Sequence, residues 1–370
     1  MSVPTSASTS TPLLPPAVEP RDTGAASAVP SWHGDDQEWW DWYMTLADNT
    51  TDSRTDEGAT APSEAAISAE VAALNAELAA PDFVPTDAHA TAGRNSAAEV
   101  ATEEEVLRHL NSPYPLKSRH LAAYRRQGFV RLPGVLAPSV VAALARRADE
   151  LLDRAHGGPR PGRFLALEQL WLTDELMRAV ALSPRLGALA ARLTGADRVR
   201  LYHDNLLSKE SGCGRTPWHR DADHYPLDTT ALCTSWVALH DIPAEMGPLA
   251  CLPNGPTAVE MRAVPFTLLG TDYDRRLRSV LDRTGGAPDA TPFRAGDVSF
   301  HSAACFHTAG PNRTGTPRRV LSSTYYADGT RVSAEPTLLS GAWTDFLPGV
   351  APGESAVSPL NPVVGTQPQP

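Results

Sequence analysis

Between residues 111 and 195 apolar positions recur every three or four residues; beyond Arg198 that rhythm gives way to short alternating runs. Helices should therefore precede strands. RHLAAYRRQGFVRLPGVL predicts a helix stopped at Gly128 and then a short strand. Pro138 opens the next helix, and Val140, Leu144, Ala148, Leu151 and Leu152 form its apolar face. A further helix covers about residues 184–193 and ends at Gly195. The candidate strands are VRLYHDNLLSK, the segment around His219, LCTSWVALHDI, MGPLACLP, GDVSFHS, CFHTAG and RRVLSSTYYAD. About seven short strands at close spacing argue for an antiparallel sandwich or barrel, buttressed by the helices before it.

The front of the chain reads differently. Residues 1–30 are Pro, Ser, Thr and Ala, a composition too polar to build a core. The next stretch, SWHGDDQEWWDWYMTLAD (residues 31–48), holds Trp32, Trp39, Trp40 and Trp42, half of the chain's 8 tryptophans. Trp39, Tyr43 and Leu46 share one helical face. We read a short helix docked on the body, with a lid over the active site or an anchor for a partner protein as the sharper alternatives. In residues 64–79, Ile67, Val71, Leu74 and Leu78 form a stripe, which suggests a second short helix on a linker. The expected division is an acidic, largely disordered extension over 1–110, a folded domain over 111–345 and a Pro/Gly-rich tail over 346–370 that wraps the surface.

Charge sharpens that division. Residues 1–110 carry 19 Asp/Glu against 4 Lys/Arg, a net of −15; residues 111–370 carry 24 against 28, a net of +4. The overall −11 thus says nothing of the body's substrate and gives no support to nucleic acid as a partner. The four cysteines (Cys213, Cys233, Cys251, Cys305) have no CxxC spacing and fit reduced core thiols in a cytoplasmic protein. The N-terminus lacks a signal-peptide pattern, and no run approaches the ~18 apolar residues of a membrane span.

Candidate chemistry centres on TPWHRDADHY, where His219 and Asp221 stand two residues apart. In extended backbone residues i and i+2 project to one side, so the pair offers two of the three ligands of the 2-His-1-carboxylate triad that holds non-haem Fe(II). Two later histidines compete for the third place, His301 and His307, in GDVSFHSAACFHTAGPN. Arg318 follows His307 by eleven residues and would share a strand face with Val320 and Ser322, leaving Arg319 on the other. A buried guanidinium needs an anion, and its planar fork matches a carboxylate. His203 and His240 read as structural histidines. His224 reads the same way, although it and Tyr225, just past the metal motif, are candidate substrate contacts, and Lys209, one of two lysines in an arginine-rich body, reads as a plain surface lysine or as an ammonium for an anionic group.

These motifs together resemble the phytanoyl-CoA dioxygenase family of Fe(II)- and 2-oxoglutarate-dependent oxygenases. The resemblance rests on GFVRLPGVL (128–136), PWHRD, MGPLACLPNG (246–255) and GDVSFHSAACFHTAGPN with its arginine, in the family's order across about residues 119–330. It implies a double-stranded β-helix (jelly-roll, cupin-like) core, with His219, Asp221 and His307 as iron ligands. It further implies that Arg318 grips 2-oxoglutarate beside the wall aromatic Trp236, and that O2 is consumed with release of succinate and CO2. Two positions depart from the family's pattern: Arg220 replaces the usual Gln, and Asn254-Gly255-Pro256 replaces the usual Gly-Ser-His. The extended metal motif of ectoine hydroxylases is absent. Asp221 stands where halogenating members place a small residue, so the resemblance implies hydroxylation of a small molecule, a specialised metabolite being our expectation. Desaturation, epoxidation, or a non-catalytic binding barrel are the alternatives.

Overall fold

A computed structural model describes residues 37–49, 100–255, 264, 271–284, 287–336 and 342–366. The expectations for residues 1–30 and 64–79 lie outside the described residues. Helix α1 (Gln37–Met44) comes first, then α2 (Glu103–Asn111), α3 (Ser118–Gln127), β1 (Phe129–Leu132), α4 (Pro138–His156) and β2 (Phe164–Glu168). Helices α5 (Glu175–Ala181) and α6 (Pro184–Thr194) lead into β3 (Arg198–Lys209), β4 (Thr216–His219), β5 (Leu232–Ala238) and β6 (Leu249–Cys251). After α7 (Asp272–Thr284) come β7 (Val298–Ser302), β8 (His307–Ala309), β9 (Arg318–Ala327) and β10 (Val363–Thr366).

The punctuation read from the sequence has physical causes that the structure displays. Gly128 closes α3 at φ 84°, a left-handed conformation that costs glycine nothing, and its N–H caps the Tyr124 carbonyl. Pro138 occupies the first turn of α4, where its missing N–H is no loss. Helix α2 starts before residue 111 with a capping box between Thr102 and Glu105, and its Val106 and Leu110 enter the main core. The folded body thus takes in residues ahead of Asn111.

The strands form two antiparallel sheets, the β-rich arrangement of a cupin-like core with helices beside it. The larger runs β1-β7-β5-β9-β3-β10, with β2 also paired to β3; the smaller runs β4-β8-β6. Alternation along the large sheet sorts its two faces. Val237, Leu321, Tyr325, Val298 and Phe300 join the cluster that contains the buried residues of α2, α4, α5 and α6. The opposite face carries His203, Thr234, Trp236, His301, Arg318 and Thr324, all buried, brought into line by the pairs Thr234↔Thr324, Thr234↔His301 and His203↔Thr324. A buried sheet face this polar is costly unless its groups find partners, so it marks the site side of the sheet.

The tail does more than wrap the surface. Strand β10 extends the large sheet at β3, and Gly365 meets Gly187 of α6 backbone to backbone; a Cβ on Gly187 would come within 2.9 Å of the Gly365 Cα. All four cysteines are buried and free. No helix among the described residues is long and apolar enough to cross a membrane.

Candidate metal centre

His219 ends β4, His307 begins β8, and the antiparallel register sets them directly opposite one another. Such cross-strand neighbours lie side by side on one face, and the two rings stand 4.0 Å apart. Asp221 lies outside the strand: β4 stops at His219, and Asp221 starts a 3-10 turn. Arg220 between them keeps extended dihedrals (φ −122°, ψ 140°), so the i, i+2 relationship survives the end of the strand. One potential ligand atom from each of His219, Asp221 and His307 lies within 4.8 Å of the others.

Hydrogen bonds fix which atoms face inward. His219 Nδ1 is 2.9 Å from the Pro217 carbonyl and His307 Nδ1 is 3.0 Å from the Cys305 carbonyl. A carbonyl only accepts, so both Nδ1 atoms carry the proton and both Nε2 atoms present lone pairs. Those lone pairs face Asp221 Oδ1 at 4.0 and 3.6 Å. Burial pushes both imidazoles below their ordinary range, His307 to about 4 with help from His301, and His219 with help from His307 and His224. Burial alone would raise the Asp221 carboxyl, but His307, His301 and His219 outweigh it and hold it well below the usual range. Two neutral lone pairs and a carboxylate converging in a buried space repel one another unless a cation sits between them. The donor set therefore fits a divalent metal, and two imidazoles with one carboxylate suit iron.

His301 stands beside the same carboxylate. Its Nε2 lies 3.2 Å from Asp221 Oδ2, the oxygen turned away from the histidine pair. Thr234 Oγ1 donates to the same oxygen at 2.6 Å.

Arg318, at the start of β9, is 2% exposed, and Arg319 points to the other face, where it pairs with Asp149. One Arg318 Nη donates to the Gly247 carbonyl at 2.9 Å, while its Nε has no acceptor among the described residues. Burial pushes the guanidinium down to about 10, against a small opposing effect of Cys213. Its carbon stands 5.2 Å from the Trp236 ring centroid, within cation–π range. A buried, underused guanidinium beside an aromatic wall is a cradle for a carboxylate.

The other sequence candidates separate. Lys209 is fully buried rather than exposed to a ligand: its ammonium donates to the carbonyls of Gly214 and Gly310 at 2.8 Å and to Thr216 Oγ1 at 3.1 Å, fastening β3 to the loops of the small sheet. Tyr225 turns inward, its hydroxyl between His203 Nε2 (2.9 Å) and Thr324 Oγ1 (3.0 Å), so that hydroxyl is engaged by the protein itself. His224 does border the site, its ring 5.7 Å from His219.

Helix α1 supplies the remaining wall. Tyr43 meets His219 edge-on at 5.6 Å and His224 at 5.3 Å, and Trp39 stacks on Tyr43 at 4.8 Å. Gln37 anchors the helix, donating to the Phe164 carbonyl (2.7 Å) and accepting from Ala166 N–H (3.1 Å). Asp41 pairs with Arg163, and Trp40 Nε1 donates to Glu168 at 3.3 Å. Downstream, Asp48 N–H donates to Asp274 of α7 at 3.2 Å, and the same buried carboxylate pairs with Arg215 and accepts from Trp218 N–H. Residues 37–49 thus run from β2 past the histidines to α7. Periodicity revealed the aromatic face; the polar anchors had no local signature. Thr234 and Thr324 were missed altogether, although alternation places Thr234 on the same face as Trp236.

The sequence profile of the phytanoyl-CoA dioxygenase family matches residues 124–320, more than half of the chain. The chain belongs to the phytanoyl-CoA dioxygenase family. Among solved structures, it resembles the α-ketoglutarate-dependent carbocyclase SnoK of nogalamycin biosynthesis at 27% identity, TM-score 0.57, over 68% of this chain and 99% of that one. The epimerase SnoN, solved with Fe3+, α-ketoglutarate and nogalamycin RO, gives 29% identity and TM-score 0.54 over 66% and 97%. A curated relative, the probable α-ketoglutarate-dependent hypophosphite dioxygenase of Stutzerimonas stutzeri, is 26% identical over 170 residues, covering 44% of this chain and 56% of that protein. The chain therefore matches little more than half the length of that curated relative.

Proposed function

We propose that this member of the family is an Fe(II)- and 2-oxoglutarate-dependent dioxygenase that hydroxylates a small molecule, with release of succinate and CO2. The observation that carries this reading is the convergence of the two Nε2 lone pairs with Asp221 Oδ1. His219, Asp221 and His307 would hold the iron, and Arg318 with Trp236 would hold the distal carboxylate of 2-oxoglutarate. When bound, iron and 2-oxoglutarate supply the O2-dependent oxidising power. The chain's own residues orient the ligands, exclude water and present substrate. Trp39, Tyr43 and His224 form the substrate-facing wall, with residues 37–49 as a cover over the site. Aromatic faces beside a metal centre favour a substrate that offers a ring to stack, in keeping with a specialised metabolite.

The test is an anaerobic titration of Fe(II) and 2-oxoglutarate followed by visible absorption. A weak charge-transfer band in wild type that disappears in His307→Ala and Arg318→Ala supports the reading. Wild-type protein that shows no change on adding both overturns it. A second reading, carbon–carbon ring closure or epimerisation at the same iron, is supported by the likeness to SnoK and SnoN. Product analysis separates the two, since hydroxylation adds an oxygen atom from O2 to the substrate and the other outcomes do not.

A further inference from the structure

Asp221 Oδ2 is the terminus of a chain of hydrogen bonds that crosses three strands. Thr234 on β5 donates to it at 2.6 Å; Thr234 lies 3.1 Å from Thr324 on β9; Thr324 lies 3.0 Å from the Tyr225 hydroxyl; and Tyr225 lies 2.9 Å from His203 Nε2 on β3. Each hydroxyl has one proton to give, and a carboxylate oxygen can only accept. Thr234 must spend its proton on Asp221, so Thr324 must donate to Thr234 and Tyr225 to Thr324. Tyr225 in turn accepts from His203 Nε2–H. That leaves His203 Nδ1 as an acceptor, which the Asn205 amide satisfies at 3.2 Å in the orientation its neighbours require. The polarity of the whole series follows from its last member.

We infer that Thr234, fixed by Thr324, Tyr225 and His203, is a positioning residue that together with His301 holds Asp221 to single-oxygen ligation. Two donors, Thr234 at 2.6 Å and His301 at 3.2 Å, saturate Oδ2, and only Oδ1 faces the histidine pair. A carboxylate released from these donors would be free to turn both oxygens toward a bound metal and to crowd the cosubstrate. His301, one of the two histidines that competed for ligand status, acts here through Asp221 instead. Tyr225 acts in the same series rather than on substrate. Hydrogen-bonded partners of this kind commonly change metal affinity 10- to 100-fold when removed.

The inference rests on the iron-site reading, and its test uses Co(II) binding so that the two can fail separately. Co(II) affinity is measured by competition with a chromophoric chelator, the Co(II) d–d spectrum is recorded, and apo-protein melting is followed in parallel. Thr234→Val removes the donor with little change of shape; the expected result is a Co(II) dissociation constant raised about 10- to 100-fold and an altered d–d spectrum. Thr234→Ser, which restores the hydroxyl, should return both toward wild type. Tyr225→Phe, further from the metal, keeps the measurement open should the valine variant fold poorly; it should shift affinity in the same direction by a smaller factor. Wild-type affinity and spectrum in both Thr234→Val and Tyr225→Phe, with unchanged apo melting, overturn the inference alone. A wild-type protein that takes up no Co(II) overturns it together with the iron-site reading.

Discussion

Arg318 stands over Trp236 with its guanidinium carbon 5.2 Å from the ring centroid, and its Nε meets no acceptor among the described residues. A buried cation in this condition is stabilised when an anion arrives. Arg318→Lys keeps a charge but loses the planar fork, and Arg318→Met loses both. Truncating one member of a buried, hydrogen-bonded charge pair costs about 2–5 kcal/mol, or ~30-fold and upwards in affinity. The expected outcome is 2-oxoglutarate affinity weakened by that factor in Arg318→Met, with Co(II) affinity near wild type. Isothermal titration of the cosubstrate into Co(II)-loaded protein checks it.

Loss of His307 should have the converse signature. His307→Ala removes one of the three ligand atoms while Arg318 keeps its place, so metal uptake should fall at least ~100-fold by the sensitivity of such sites to their ligands. Metal analysis after dialysis against a chelator should give less metal than for wild type. Full metal occupancy in this variant would assign the third ligand elsewhere.

His203 makes stability depend on pH. It is packed among Tyr202, Tyr225, Phe346 and Asn205, and burial pushes it down to about 4, although Asp221 favours its charged form. An unfolded histidine titrates near ~6.5, so between these values the unfolded chain binds more protons. The contribution is complete above about 6.5 and is lost as pH falls toward about 4, reaching about 2 kcal/mol at pH 5. Asp204, pushed up to about 7 by burial, works in the opposite direction because the folded chain holds its proton. Comparing wild type with His203→Gln cancels that part. The variant should lose less stability than wild type between pH 7.5 and pH 5 in denaturant melts.

The wall formed by α1 predicts a division between binding and chemistry. Trp39→Ala should raise the substrate KM, while leaving Co(II) and 2-oxoglutarate affinity unchanged, because the ring of Trp39 packs on Tyr43 and His224. Succinate release without substrate should also rise relative to the coupled reaction, as water gains access. Coupled and uncoupled 2-oxoglutarate consumption in the two proteins checks both.

What the sequence disclosed and what it concealed divide by range of interaction. Gly128, Pro138 and Gly195 end or begin helices by their own backbone chemistry, so α3, α4 and α6 were readable. Alternation set Arg318 and Arg319 on opposite faces for the same local reason, without saying which face turns inward. The opposition of His219 and His307 is set by pairing between strands 88 residues apart, which a local pattern cannot express. Strand β2 and helix α7 escaped notice: FLALE is short, and DYDRRLRSVLDRT is dominated by charge on its solvent side. Lys209 showed the opposite failure. Its rarity suggested a ligand contact, but its ammonium is satisfied by the nearby Gly214 carbonyl and by the Gly310 carbonyl, which is distant in sequence.

The side-chain amide of Gln37 occupies the Phe164 carbonyl and the Ala166 N–H, the groups that β2 turns away from β3. A single glutamine thereby does the work of a neighbouring strand at this margin of the large sheet. An uncovered margin of this kind invites another polypeptide to add itself alongside. The aromatic segment consequently covers a sheet margin as well as the histidines: a chain begun after residue 49 would expose both a hydrogen-bonding rim and the apolar Phe164, and should self-associate more than the longer chain.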